Sequence, residues 1–235
     1  EKFLHNEIGA NFGTNKLGVR VSAYNTDWLD RNLTKSVETG QGSSGDTDII
    51  FLKGVNQKHQ GLEIETKVKP NELVELDLIA SFGNWKFDGD ANGTYQEMEY
   101  NDEGQVIGQT STEYSYALDG LYVGDMPQTA YILGVTLKPV KGLRLQALYK
   151  TYDKNYSDWS PAAREIEDGE ADRAQVWEAP GYSKLDLHAS YKLPIKGHDI
   201  SLTAHVFNAL DEVFVQDAVD NSRYNGFGSK EHLPH

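Results

Sequence analysis

The sequence predicts an all-β fold, namely an antiparallel transmembrane β-barrel with about eight strands. Apolar residues recur at every second position in several segments, which is the period of a strand with one apolar face. These segments run for a dozen residues or more, whereas a tilted strand needs only about 9–11 residues to cross a bilayer. The connections alternate between short turns and long polar segments, as they do in outer-membrane barrels.

The predicted strands follow one another along the whole chain. They lie near residues 2–13, 16–30, 50–69, 72–87, 112–138, 143–154, 181–193 and 199–210, and the useful part of the fifth begins at 129. The seventh, SKLDLHASYKL, shows the pattern well, because Leu185, Leu187 and Ala189 alternate with Asp186 and His188. Each strand therefore has an apolar and a polar face.

The connections predict which end of the barrel faces outward. Short turns are expected at 13–16, 70–71, 139–142 and 194–198, on the periplasmic side. Long external loops are expected at 31–49, 88–128, 154–180 and after 211. A soluble β-sandwich is the alternative, and the polar strand faces would suit its solvent side as well as a wet lumen. Strand length favours the barrel, since soluble strands usually have about 5–6 residues.

Composition and missing motifs argue against two classes of function. The chain has 36 acidic and 22 basic residues, a balance that disfavours a nucleic-acid partner. It has no cysteine, and it contains no G-x-S-x-G elbow, H-E-x-x-H motif or Gly-rich phosphate loop. No catalytic residue is predicted. The alternatives from other classes are a small outer-membrane barrel enzyme and a soluble carbohydrate-binding β-domain.

The stretch DGDANGTYQEME, residues 88–99, fits the calcium-loop pattern D-x-[DN]-x-[DN]-G-x5-E. An EF-hand needs a helix on each side, and the segment before this loop has strand periodicity instead. Calcium remains a possible cofactor of a plain external loop. Its predicted ligands are Asp88, Asp90, Asn92, the Thr94 carbonyl and Glu99. A solvated acidic loop is the alternative reading.

Aromatic residues on the polar side of the strands predict a ligand contact region at the external mouth. Aromatic faces stack on flat or sugar-like groups, and a ligand entering from outside would meet them first. The candidates are Trp28, Trp85, Phe87, Tyr152, Tyr156 and Trp159. The alternative is packing between loops or against a plug.

Two histidines are predicted to lie opposite each other on the polar face. If the 194–198 turn sets Leu193 beside Ile200, antiparallel pairing places His188 beside His205. Opposed imidazoles can share a transition metal, and a metal-free pair is the alternative.

Several motifs resemble those of one family. In PGYSKLDLHASYKLPIKGHDISLTAHVFNALDEVF, residues 180–214, the Y-x-x-L-D-L-x-x-x-Y strand and the closing Asn208-Ala209-Leu210-Asp211 resemble the penultimate hairpin of TonB-dependent outer-membrane receptors. HNEIGANF, LGVRVSAYNTDWLD, HQGLEIETKVKP and DMPQTAYILGVTLKP are similar to earlier strands of that family, in the same order. The resemblance covers nearly the whole chain.

The resemblance implies a role and a set of partners. It implies a partial β-barrel domain over 1–235, drawn from a 22-stranded barrel in the outer membrane of a Gram-negative bacterium, with the plug domain and the final strand outside this segment. Its implied partners are outer-membrane lipid, the rest of the barrel, the plug and, through the plug, the TonB complex. Its implied cargo is a scarce nutrient, which could be an iron chelate, cobalamin, an oligosaccharide or a peptide.

Overall fold

The computed structural model describes residues 1–38, 47–101 and 103–220, and most of them form one antiparallel sheet. Eight strands lie side by side in chain order and form a wall. They are β1 (Lys2–Gly13), β2 (Leu17–Glu38), β3 (Thr47–Asn71), β4 (Val74–Phe87), β7 (Thr129–Leu137), β8 (Leu143–Asp153), β12 (Tyr182–Lys192) and β13 (Ser201–Val206). The eight predicted strands are thus confirmed in their order. The predicted register of the last hairpin is also confirmed, since His188 pairs with His205.

The strand register collects the apolar residues on one face of the wall. Ile64 on β3 lies opposite Val21 on β2 and Ala80 on β4. Large apolar side chains on this face are open to the surroundings, among them Leu78 (46% exposed) and Leu133 (42% exposed). A soluble protein rarely exposes so continuous an apolar surface. The face therefore fits the lipid side of a transmembrane barrel.

The opposite face is polar and carries ion pairs between neighbouring strands. Lys67 lies 3.3 Å from Asp77, and Lys150 lies 2.7 Å from Asp186. This face also lines a recess of about 660 Å³ near the short turns. It has the character of a barrel lumen, where charged groups keep contact with water.

The wall does not close within the described residues. Within that part, β1 pairs only with β2, and β13 pairs only with β12. Open edges expose unpaired backbone groups, which lipid does not tolerate. Further polypeptide must therefore complete the ring, as expected for a segment of a wider barrel.

The side that the sequence predicts to be external holds more strand than expected. Strands β2 and β3 continue into the predicted loop 31–49, of which residues 39–46 lie outside the described part. The predicted loop 88–128 contains the hairpin β5 (Ala91–Tyr100) and β6 (Val106–Tyr116). For the predicted strand 112–138, the useful part from 129 is confirmed as β7, whereas the part before it is not continuous with β7, because β6 ends at Tyr116 and β7 begins only at Thr129.

The predicted loop 154–180 is confirmed as a connection made of short elements. It contains β9 (Asn155–Tyr156), β10 (Asp158–Trp159), α1 (Pro161–Arg164) and β11 (Glu178–Ala179), and β10 pairs with β14 (Val219–Asp220). In the described part of the chain, no helix has the length and apolar character needed to span a membrane.

Candidate functional site at the external mouth

Trp85 lies at the centre of the polar face where the wall meets the external loops. Its ring stacks on that of His59, with ring centroids 5.4 Å apart, because β3 and β4 pair these two residues directly. Its indole N–H donates to the hydroxyl of Tyr24 on β2, at 2.9 Å. Gly61 makes this contact possible, since a Cβ there would lie 2.4 Å from the Tyr24 ring. Three strands thus fix the orientation of one indole.

Gln128 holds the returning loop against the same tryptophan. Its side-chain oxygen accepts the backbone N–H of Trp85 at 2.8 Å, and its amide donates to the carbonyls of Trp85 and Val123 at 3.0 and 3.2 Å. The side chain is buried, and both its carbonyl oxygen and its amide nitrogen form hydrogen bonds. The mouth is consequently a rigid part of the wall rather than a loose loop end.

Trp28 forms the other side of the mouth. The Arg31 guanidinium lies 3.6 Å above the centre of the Trp28 ring, a cation–π geometry. Arg31 also donates to Gln57, whose side-chain oxygen lies 3.2 Å from His59 Nε2. Arg31, Gln57 and His59 therefore link Trp28 to Trp85 in one polar row, which we call the mouth row.

Tyr152 belongs to a separate aromatic group further along the wall. Its ring lies 5.1 Å from that of Tyr182, which stacks on Phe214 at 4.1 Å. The Lys184 ammonium lies 5.8 Å from the Tyr152 ring and 5.2 Å from the Phe214 ring. Tyr152 is half-buried and keeps part of its surface open on the polar face.

The other three predicted contact residues, Phe87, Tyr156 and Trp159, lie inside a compact core formed by the external loops. Trp159 is 1% exposed and packs against Tyr116 and Phe87, with ring centroids 5.6 and 6.4 Å away. Tyr156 is also buried and stacks on Tyr122 at 4.2 Å. These rings are covered by protein and pack between loops. In this structure the three side chains therefore face protein, and their contact with a ligand stays a prediction.

The loop core gathers apolar side chains from several external segments. Strand β3 contributes Ile50, Leu52 and Val55, the β5–β6 hairpin contributes Ala91 and Tyr116, and the following loops contribute Leu118, Leu121 and Val176. Burial of the valine, leucine and isoleucine side chains among them stabilises a structure by about 1.5–3 kcal/mol each. The external loops are thereby held together as a cap beside the mouth.

The predicted calcium ligands are not brought together. Only Asp88–Asp90 forms a loop, and from Ala91 the chain is the extended strand β5. Seven residues of strand span roughly 23 Å, so the backbones of Asn92 and Glu99 lie far apart. The pattern required a loop that wraps around an ion, and strand pairing with β6 prevents this wrapping.

Asp90 has other partners. The Arg173 guanidinium donates to both of its carboxylate oxygens, at 3.1 and 2.8 Å, and the backbone N–H groups of Leu118 and Asp119 donate to one of them. The bond with Arg173 lowers the pKa of Asp90. In the described residues, no group of three or more histidines and carboxylates is arranged to hold a metal ion.

Sequence comparison agrees with the geometry. The chain matches the family described as "TonB dependent receptor-like, beta-barrel" over residues 2–209. It belongs to this family. A comparison with curated proteins finds no significant match. TonB-dependent receptors are transporters of the bacterial outer membrane rather than enzymes, and the apolar and polar faces of the wall fit a receptor barrel of this kind.

Sequence reasoning missed most of the mouth row of this receptor barrel. Arg31, Gln57 and His59 were not predicted, although Gln57 and His59 have the same strand parity as the polar residues Glu63 and Glu65. The register adds the missing signal, because it places Gln57 opposite Trp28 and His59 opposite Trp85. Each pair combines an aromatic ring with a hydrogen-bonding side chain.

A cluster of carboxylates joins three external segments of the receptor. The backbone N–H of Asp125 donates to the carbonyl of Tyr156, and that of Asp158 donates to the carbonyl of Ala218. Burial and a hydrogen bond with Asp217 raise the pKa of Asp125 to about 7, and the charge of Asp158 adds to this. Lys35, ion-paired with Asp158, acts in the opposite direction.

This cluster predicts a pH dependence of the loops. A raised pKa means that protonated Asp125 favours the packed state, so its stabilising contribution is complete below the ordinary value of 3.8 and is lost as the pH rises through about 7. Proteolysis of the external loops should be faster at pH 8 than at pH 5.5, relative to an unstructured peptide with the same cleavage site. Asp125→Asn should remove the difference, whereas Glu103→Gln on the exposed hairpin tip should keep it. An unchanged pH response in Asp125→Asn would contradict the assignment.

Proposed function

We propose that this receptor barrel imports a scarce nutrient across the outer membrane of a Gram-negative bacterium, with energy that the TonB complex transmits through a plug domain. The observation that carries the proposal is the position of the mouth row. Trp28, Trp85 and His59 lie on the polar face, at the end of the strands that we assign to the exterior, while the other face of the same strands is apolar. A solute captured from outside would reach these side chains before the lumen.

The chemistry of the mouth supports a ligand with flat and hydrogen-bonding groups. Trp28 and Trp85 offer aromatic surface, while Arg31, Gln57 and His59 offer donors and acceptors between them. The second group, with Tyr152 and Lys184, adds a positive charge beside an aromatic face. An iron chelate such as a siderophore, cobalamin, an oligosaccharide or a peptide has groups that match. Outer-membrane lipid, the remaining barrel, the plug and TonB are the partners that the proposal requires.

Growth tests define the nutrient class. Cells that depend on the full receptor would be supplied with a ferric siderophore, cobalamin, a maltooligosaccharide or an oligopeptide as the only source of the limiting nutrient. We expect growth on one class, and we expect deletion of TonB to abolish it. Equal uptake with and without TonB would contradict the proposal.

Trp85→Ala should then raise the nutrient concentration needed for half-maximal uptake by about 2- to 10-fold, since an aromatic contact is worth roughly 0.5–1.5 kcal/mol and 1.4 kcal/mol is tenfold. Met126→Ala is the matched control, because Met126 is an external side chain that is 60% exposed and lies outside the mouth row. Saturation uptake curves with the nutrient identified above provide the measurement. Equal uptake curves for the two variants would show that Trp85 does not contact the nutrient.

A further inference from the structure

His188 and His205 form a closely spaced imidazole pair on the lumen face. Their Nδ1 atoms lie 2.8 Å apart, and the ring planes are inclined by 63°. We propose that this pair binds a divalent transition metal ion, with Cu²⁺ preferred. The site lies apart from the mouth row, on β12 and β13, and the proposal does not depend on the nutrient that the receptor imports.

The sheet itself sets the spacing of the two rings. The backbone N–H of Leu193 donates to the carbonyl of Ile200, so that pair is hydrogen-bonded. Hydrogen-bonded and non-hydrogen-bonded pairs alternate along an antiparallel ladder. His188 and His205 lie five positions from the Leu193–Ile200 pair, so they form a non-hydrogen-bonded pair. Side chains approach most closely at such positions. The ladder therefore holds both imidazoles together before any metal arrives.

The nitrogen separation selects the type of metal. Bonds of 2.0–2.1 Å from one ion to two nitrogens 2.8 Å apart enclose an angle of about 84–89°. A tetrahedral zinc site needs an angle near 109°, which would require a separation of about 3.3–3.4 Å. Neighbouring positions of a tetragonal ion meet at about 90°, and this geometry is typical of Cu²⁺ and Ni²⁺. Cu²⁺ also binds nitrogen ligands more tightly than the other common divalent ions.

The surroundings leave the site open to water and hold the two rings in place. A recess of about 240 Å³ adjoins the pair, lined by Arg144, Gln146 and Ser190 as well as the histidines, and it can hold the water that completes the coordination. Phe207 packs beside both rings, with centroids 5.7 and 6.1 Å away, and limits their rotation.

Binding requires a change of tautomer and a rotation of the rings that turns both Nδ1 lone pairs toward the ion, because in the free pair the two Nδ1 atoms face each other. In the free pair, one Nδ1 carries a proton and donates it to the other. Coordination through both Nδ1 atoms moves that proton to Nε2 of the same ring, with solvent as the carrier. No charge is lost from either imidazole and no redox step is involved.

The test uses the purified full receptor and CuCl₂ alone. We expect one Cu²⁺ with two coordinated imidazole nitrogens in the electron paramagnetic resonance spectrum. His188→Gln and His205→Gln should each weaken binding by at least about tenfold, because the second ligand is no longer supplied within the same molecule. His198→Gln, in the exposed turn between the two strands, is the matched control and should leave affinity and spectrum unchanged.

Two results would overturn the site. The first is unchanged copper affinity when His188 and His205 are both replaced, in protein that retains its folded, heat-modifiable form on gels. The second is tighter binding of Zn²⁺ than of Cu²⁺, because it would contradict the geometry. Nutrient uptake by the same variants is measured separately, so failure of the copper site and failure of the import proposal remain distinguishable.

Discussion

Leu78→Arg should destabilise the barrel by about 2–4 kcal/mol, because it places a charge on the lipid face near mid-depth. Leu78 lies on β4 between Thr66 on β3 and Leu133 on β7, and 46% of it is open on the apolar face. Counted from the periplasmic end at Val74, a membrane-crossing length of about 9–11 residues has its middle near this position. The arginine would have no carboxylate partner on its direct neighbours Thr66 and Leu133.

Ser81→Arg is the matched control on the same strand. Ser81 faces the lumen and lies opposite Glu63, so the new charge gains a carboxylate and stays in contact with water. Urea unfolding of the receptor in liposomes measures both variants, and the Ser81→Arg change should stay below about 1 kcal/mol. If the two variants lose the same stability, the assignment of the faces is wrong.

Trp159→Ala should open the external loop core, with a local loss of about 3–5 kcal/mol. The indole is almost fully buried and contacts Tyr116 and Phe87, so its removal leaves a cavity where β10, β6 and β4 meet. The wall depends on pairing between long strands and not on this ring. The barrel should therefore remain folded while the loops become accessible.

Limited proteolysis measures this separation. In Trp159→Ala, cleavage within 154–180 should speed up by at least tenfold, while heat-modifiable migration of the barrel on gels stays as in the unmodified protein. Val213→Ala removes an apolar side chain that is 91% exposed and should change neither result. Loss of the folded barrel in Trp159→Ala would show that the loop core and the wall form one cooperative unit.

The wall could be predicted from the sequence because strand periodicity determines both the face and the register. Once Leu193 is paired with Ile200, the position of every residue on the last hairpin follows, including the opposition of His188 and His205. The apolar sets centred on Val21 and Ile64 likewise meet across β2 and β3. Polar segments without this periodicity gave no such information. The β5–β6 hairpin, with Thr, Glu, Gln or Ser at nearly half of its strand positions and no regular apolar alternation, was therefore predicted as loop.

The candidate site was predicted only in part, because parity reports the side of a strand and not what covers it. Phe87 and Trp85 share a face of β4, yet loops bury Phe87 while Trp85 keeps part of its surface open. The row from Arg31 through Gln57 to His59 depends on contacts between separate strands and a shift in register near Arg31. Neither the contacts between strands nor the register shift can be predicted from the residue pattern of a single strand.

Labelling of single cysteines in intact cells tests the central claim, that this wall crosses the outer membrane with its long hairpins outside. The chain has no cysteine of its own. Glu103→Cys places a thiol at the tip of the β5–β6 hairpin, and Glu72→Cys places one in the short turn between β3 and β4, both at exposed positions. With a membrane-impermeant maleimide, Glu103→Cys should be labelled before cell disruption and Glu72→Cys only after it. Equal labelling of both in intact cells would contradict the account.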